Sequence, residues 1–337
     1  MKIQIICRGS SKIGLGHLFR TRTFCKAIRN HCDVRILAII EKGLEPIFYE
    51  INDLVSFCYS EQGISKTVKD FSPDVIVYDL TTLSDETFEK LKNIPKLIAS
   101  ISPVFDQMGK TDLLFTRSKY TLPVKGVAVY GGLEYSIFNE ACERIKTAEY
   151  KKNLNKKHLT ISISMGGTDS PNKTLKILKA LEDFPRELTL WVALGEGYSH
   201  SYNDLVSAIK SNHKHEIILA KANRSTWDIL GNSVLAIFAG GLTTVEAVYS
   251  GLPSINIFEK KEHFEATARE LFENGIIFDG YYYSDESLKK VCDKIDWIYD
   301  HREVLLEMRE KSKSVLDKNG SMRVFRIIKK HLSEKPH

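Results

Sequence analysis

Apolar and polar positions follow one rhythm for most of the chain: a run of Val, Ile and Leu, a small polar turn, then an amphipathic stretch. "KIQIIC" (2–7) leads into a helical stretch over about 16–30, and "DVRILAII" (33–40) follows it. A second helical stretch precedes "DVIVYDL" (74–80). A helix near 84–93, "KLIASIS" (96–102), "DLLFT" (112–116) and "VAVYGG" (127–132) complete the first half. Unbroken aliphatic runs predict strands covered on both faces, and helices between them predict parallel pairing.

Around residues 139–157 the chain turns charged and loses its strand signal, which predicts a helix and connector between domains. The rhythm then restarts. "HLTISISMGG" (158–167) precedes a helix over about 172–183, and "ELTLWVALG" (187–195) precedes one near 202–211. "HEIILAK" (215–221), a helix near 225–231, "VLAIFAGG" (234–241), a helix near 243–250 and "PSINIF" (253–258) follow. The remainder is mostly helical, and Gly320 precedes a last helix, "SMRVFRIIKKHL". The pattern predicts two Rossmann-like α/β domains, 1–140 and 158–318, with a cleft between them and a C-terminal helix and tail over 319–337.

A length of 337 residues agrees with two domains, and 43% hydrophobic with 27% charged residues is ordinary for a globular chain. No apolar stretch reaches the ~20 residues needed to span a bilayer. Arg8 interrupts the first apolar run too early for a signal peptide. The six cysteines (Cys7, Cys25, Cys32, Cys58, Cys142, Cys292) form no C-x-x-C pair, which predicts reduced thiols and a cytoplasmic location, with neither a disulfide framework nor a zinc site. A net charge of +5 suits an anionic small-molecule substrate. No basic stripe with interleaved aromatics points to nucleic acid. Lysine pairs at 151–152, 156–157 and 329–330 allow at most weak contact with anionic lipid and read more simply as solvated charge. His213 and His215 flank Lys214 in a polar turn and read as solvated, and the aromatic segment "FDGYYYSDE" (278–286) reads as packing.

Three glycine turns carry the chemistry. The first, "SSKIGLGHLFR", has Gly14 and Gly16 as the opening of G-x-G-x-x-G, but Phe19 stands where the third glycine would allow close helix–strand packing. His17 and Arg20, three apart at a helix start, share a face. The helix dipole favours the neutral imidazole that a general base requires, and the arginine can neutralise a phosphate. The second, "MGGTDSPN", offers Gly166 and Gly167 for close backbone approach, then Thr168 and Asp169, which are equally at home in a plain helix cap. The third, "AGGLTTVEAVYSGLP", has Gly240 and Gly241 at a strand end, hydroxyls at Thr243 and Thr244, and Glu246 in the helix that follows. Glycine N–H groups and threonine hydroxyls at a helix start suit a pyrophosphate, and a glutamate there can accept from ribose hydroxyls.

In order and spacing these turns resemble the glycosyltransferase-B superfamily. "GGLTTVEAVYSGLPSI" is similar to the nucleotide-diphosphate signature of the transferase that adds N-acetylglucosamine to the lipid-linked peptidoglycan precursor. A closer resemblance is to the UDP-2,4-diacetamido-2,4,6-trideoxy-β-L-altropyranose hydrolases of pseudaminic acid biosynthesis. It is carried by Ile13, Gly14, Gly16, His17 and Arg20, by Asp79 at a strand end, by Met165 to Asp169, and by Gly132 and Tyr135 before the connector. It covers most of residues 1–275. Two elements depart from it: Thr81 stands about where the hydrolases have a tyrosine, and "SISPV" replaces a paired-Asp segment.

The resemblance implies that a UDP-sugar is the substrate, that UDP lies against the second domain, and that the sugar faces His17. There His17 activates a water that attacks the anomeric carbon, with no cofactor and no metal, since no Asp-x-Asp pair is present. His263, Glu265 and Tyr135 are second-tier contacts. The departures leave a second reading open, a glycosyltransferase in which His17 deprotonates a sugar or lipid hydroxyl. A hydrolysing 2-epimerase shares the architecture but needs acidic residues around the sugar. A non-enzymatic nucleotide sensor leaves His17 beside Arg20 without a purpose.

Overall fold

The computed structural model describes residues 1–221, 227–278 and 280–335. They form two compact units, one combining residues 1–139 with the chain from Asp317 onward, the other spanning Glu140–Leu316.

The first unit is built on seven strands: β1 (Lys2–Gly9), β2 (Asp33–Ile40), β3 (Val55–Cys58), β4 (Val75–Asp79), β5 (Leu97–Ser100), β6 (Leu113–Thr116) and β7 (Ala128–Gly131). They lie in the order β3-β2-β1-β4-β5-β6-β7, all parallel. Strand periodicity divides the apolar residues between the two faces. Ile3, Ile5 and Cys7 of β1 join one core layer, with Leu18, Phe24 and Cys25 of the helix Gly16–Ile28. Ile6 joins the opposite layer, with Tyr78, Phe88 and Phe105.

The C-terminal helix Gly320–Glu334 belongs to this unit: Val324, Phe325 and Ile328 complete the first layer. Burial of each such side chain contributes roughly 1.5–3 kcal/mol. Tyr130 and His331 join at 2.6 Å (Oη to Nε2), and Lys335 Nζ donates to the Lys96 carbonyl at 2.7 Å. The helix enters against the backbone of Ser136, so closely that a Cβ on Gly320 would stand 1.9 Å from the Ser136 carbonyl oxygen. Backbone on both sides cannot give way. Gly320→Ala is therefore expected to lower stability by roughly 2–3 kcal/mol, read as a reduced urea midpoint. An unchanged midpoint would refute the tight seat.

The second unit holds β8 (Leu159–Ser164), β9 (Leu188–Leu194), β10 (Glu216–Lys221), β11 (Leu235–Phe238), β12 (Ser254–Phe258) and β13 (Gly280–Tyr282). Its sheet, again all parallel, has the order β10-β9-β8-β11-β12-β13. Two edge strands are absent from the expected pattern. β3 is half-exposed along its length, so its residues make no continuous aliphatic run. β13 is three residues long and lies in the aromatic segment; Asp279, just before it, lies outside the described residues.

His213 is exposed, but His215 corrects the expectation of two solvated histidines: it is 8% exposed. Its Nε2 donates to the Leu181 carbonyl at 2.7 Å and its Nδ1 accepts from the Leu188 N–H at 3.3 Å. Burial pushes its pKa below the ordinary 6.5, with the Leu181 carbonyl opposing. The unfolded chain therefore takes up a proton that the fold resists. This part of the stability is complete above about pH 6.5 and declines as pH falls below it. Wild type is expected to lose more of its urea midpoint between pH 7 and 5 than His215→Gln does. Parallel pH profiles would contradict this.

Candidate active site

In the first unit, the strand order reverses direction between β1 and β4, where an open α/β sheet leaves a crevice at its carboxyl edge. β1 runs into a tight loop, closed by Gly14 N–H donating to the Ser10 carbonyl at 2.9 Å and Ile13 N–H to Ser10 Oγ at 3.0 Å. Gly16 then opens the helix, which has no side-chain cap, and His17 lies in its first turn. Asp79 is the last residue of β4 and pairs in register with Cys7 of β1. Residues 62 apart in sequence thus meet at one point.

His17 Nδ1 lies 2.6 Å from Asp79 Oδ1. Arg20 Nε donates to Asp79 Oδ2 at 2.9 Å, its Nη2 donates to Oδ1, and Thr21 Oγ1 donates to Oδ2 at 3.2 Å. The Asp79 side chain is 0% exposed and that of His17 15%. Burial alone raises the Asp79 carboxyl, but the Arg20 and His17 charges outweigh it and hold the carboxyl below its usual range. The ionised carboxylate at 2.6 Å is a nearer neighbour of Nδ1 than the Arg20 Nη2 donor at 3.0 Å, which favours the proton on Nδ1 and the lone pair of the neutral ring on Nε2. Among the described residues Nε2 has no hydrogen-bond partner. The arrangement is that of an oriented general base: carboxylate, histidine, and a free nitrogen facing outward.

Asp79 and Arg20, expected among the substrate contacts, both lie against the histidine. Asp79 is sealed behind its partners, and Arg20 keeps only Nη1 uncommitted. Tyr135 packs against Phe115 and Tyr130, with ring centroids 5.9 and 6.0 Å away. It lines a recess with Arg20, Ile101, Pro103, Phe115, Thr116, Arg117 and Ile137. Arg117, just past the end of β6, carries no motif around it. Its only signal in the sequence is a cation at the carboxyl end of an aliphatic run.

In the second unit the same reversal falls between β8 and β11, and the two remaining glycine turns flank it. Phe238 pairs in register with Ser164, so Gly166–Gly167 and Gly240–Gly241 follow neighbouring strands. Gly14, Gly166 and Gly240 take φ of +94°, +83° and +77°, which glycine adopts without strain. Around Gly166 and Gly241 an added Cβ would meet nothing within 4 Å, so both turns present open backbone. Asp169 is 5% exposed, and its two oxygens accept from Lys173 N–H at 2.7 Å and Thr174 N–H at 2.9 Å. It caps the helix Lys173–Ala180, the plainer of its two readings. Burial raises its pKa against those hydrogen bonds. Thr168 is 6% exposed.

At the third turn the helix Leu242–Ser250 starts directly from Gly241, again with no side-chain cap. The paired threonines differ in role. Thr244 is 1% exposed and donates to Asn256 Oδ1 at 2.6 Å, tying the helix to β12, whereas Thr243 is half-buried. Glu246 is 8% exposed and accepts from Trp227 Nε1 at 3.2 Å. Phe258 packs against Gly240 on one side and against Phe264 on the other, at 5.3 Å between rings. Of the second-tier residues here, His263 is exposed, and Glu265 pairs with Arg269 at 3.0 Å. Among the described residues no helix is long and apolar enough to cross a membrane.

No family model matches the chain. An uncharacterized protein of Methanocaldococcus jannaschii is 24% identical over 275 residues, 77% of this chain; the chain spans 56% of that relative's length. The UDP-N-acetylglucosamine–N-acetylmuramyl-(pentapeptide) pyrophosphoryl-undecaprenol N-acetylglucosamine transferase of Caldanaerobacter subterraneus subsp. tengcongensis is 24% identical over 363 residues, 93% of this chain and 96% of that one. Among solved structures, MurG of Acinetobacter baumannii superposes with a TM-score of 0.68 at 14% identity, over 98% of this chain and 100% of that one. The UDP-GlcNAc 2-epimerase of Neisseria meningitidis, bound to UDP-GlcNAc, gives 0.63 at 12% identity over 98% and 100% of the two chains. These likenesses, together with two all-parallel sheets of seven and six strands, establish the glycosyltransferase-B fold.

Proposed function

We propose that this protein is a glycosyltransferase that moves a sugar from UDP to an acceptor hydroxyl, with His17 as general base. The observation that carries the reading is the buried Asp79–His17 pair at 2.6 Å, which leaves Nε2 as the free base. Nε2 takes the acceptor's hydroxyl proton, the oxygen attacks the anomeric carbon, and the bond from that carbon to the diphosphate oxygen breaks as UDP leaves. The open glycine turns at Gly166–Gly167 and Gly240–Gly241, and the uncapped helix start after Gly241, suit the diphosphate. Thr243 and Glu246 are the candidate contacts for the rest of the nucleotide. UDP is the nucleotide because a UDP-N-acetylglucosamine transferase is among the relatives and a UDP-GlcNAc complex among the structural neighbours.

The relatives favour transfer over the hydrolysis that the hydrolase resemblance implied, since the curated relative of stated activity is a transferase. The test is UDP release from UDP-GlcNAc, followed with and without a panel of sugar and lipid-linked acceptors. Release that requires an acceptor supports transfer. Equal release in water alone would replace transfer by hydrolysis, and no binding of UDP would overturn both.

A further inference from the structure

Beside Arg20, which contacts the candidate base, Arg117 carries buried polar atoms that no partner among the described residues satisfies. Its Nε and Nη1 are buried, and neither has a hydrogen-bond partner among the described residues. A buried guanidinium without a carboxylate is strongly unfavourable, and proteins ordinarily pair it. Arg117 lines a small recess, part of it open to solvent, that also contains Arg20, Thr116 and Tyr135. The remaining walls are Ile101, Pro103, Phe115 and Ile137, so the recess offers no free carboxylate of its own. The nearest, Asp79, faces Arg20, His17 and Thr21, which occupy both of its oxygens. Burial and the neighbouring Arg20 push the Arg117 guanidinium down to about 9, with Asp79 opposing, so it is still a cation at neutral pH. Arg20 has Nη1 uncommitted on the same recess.

We propose that Arg117, assisted by the free edge of Arg20, binds a small oxyanion, a carboxylate or a phosphate monoester, carried by the acceptor half of the substrate. Nη2 shares one edge of the guanidinium with Nε and another with Nη1, so either group can be held bidentately by Nη2 and one of the two buried donors. The anion supplies the counter-charge the fold lacks, in the same cluster as His17. It fixes the acceptor near Nε2, and it narrows the acceptor to an acidic or phosphorylated sugar or polyol. This inference rests on the transferase reading for the identity of the bound molecule, but not for the existence of the anion site.

The test uses the full chain in an anion-poor buffer, titrated separately with sodium acetate and with inorganic phosphate, and read by calorimetry and by melting temperature. Wild type is expected to bind at least one of the two saturably and to melt higher as it does. Arg117→Gln is expected to weaken that binding at least tenfold and Arg117→Lys at least fivefold, because lysine keeps the charge without the fork. Without added anion, Arg117→Gln should melt no lower than wild type, since it removes an unpaired buried charge. Far-UV circular dichroism of each variant verifies that it is folded. Preference for acetate identifies a carboxylate acceptor, and preference for phosphate a phosphorylated one. Equal binding in wild type and Arg117→Gln, or none in wild type, would overturn the proposal. So would binding that disappears when UDP saturates the protein, because the anion would then belong to the donor. Failure of the transferase reading shows separately, as UDP release in water alone or as absence of UDP binding.

Discussion

His17→Ala is expected to reduce UDP release roughly 10²–10⁴-fold, the usual contribution of a positioned base, with UDP affinity unchanged. The residue lies in the first unit, whereas the glycine turns read as the diphosphate site lie in the second, so the two readouts separate. Asp79 keeps its bonds to Arg20 and Thr21 in that variant, so the melting temperature should fall far less than it does for Asp79→Asn. Asp79→Asn makes the complementary case. The amide no longer fixes the proton on Nδ1, and activity should fall by a similar order. It also leaves the Arg20 guanidinium, 9% exposed, without its carboxylate, at roughly 3–5 kcal/mol of stability. The signature is thus loss of rate with the smaller loss of melting temperature for His17→Ala, and large loss of both together for Asp79→Asn. Turnover near wild type in His17→Ala would remove the base assignment. A stable Asp79→Asn would remove the buried network.

Gly240→Ala should have the largest effect on nucleotide binding. A Cβ there would stand 2.1 Å from the Phe258 ring, and φ is +77°. Phe258 is fully buried and backed by Phe264, so the ring cannot retreat and the turn must move. The N–H groups after it would then lose their aim. Charge-assisted hydrogen bonds contribute roughly 1.5–3 kcal/mol each, so losing two weakens UDP by roughly 100-fold or more. Calorimetric titration with UDP reads this directly. Unchanged affinity would show that the third glycine turn does not hold the nucleotide.

The parallel α/β organisation was legible because buried central strands exclude charge along most of their length, as β1 does from Ile3 to Cys7, β4 as far as Tyr78 and β8 throughout. β3 and β13 were not, because an edge strand has one side to solvent and needs no such run. His17 stood out in the sequence as a candidate base because a helix-start histidine after a glycine loop has few structural duties. Its partner was not: Asp79 was visible only as a strand-end carboxylate, and which side chain reaches it depends on β4 lying beside β1. Asp169 shows the opposite limit. A carboxylate after a glycine turn is equally at home in a helix start or a ligand site, and the Lys173 and Thr174 N–H groups on its oxygens become visible only in the fold. Arg117 lacked any motif; its meaning comes from the missing partner, which no one-dimensional reading contains.

The return of the helix Gly320–Glu334 to the first unit makes the second unit an insertion within it. On the ribosome, residues 140–316 can therefore close their sheet while the first unit still waits for its last helix. The half that bears His17 reaches its final packing only after residue 334 has emerged, so the base is the last part of the molecule to mature. Until then an apolar face of β1 and the Gly16–Ile28 helix lacks Val324, Phe325 and Ile328 as cover. That window, rather than any weakness of the finished protein, is where a chaperone would matter most.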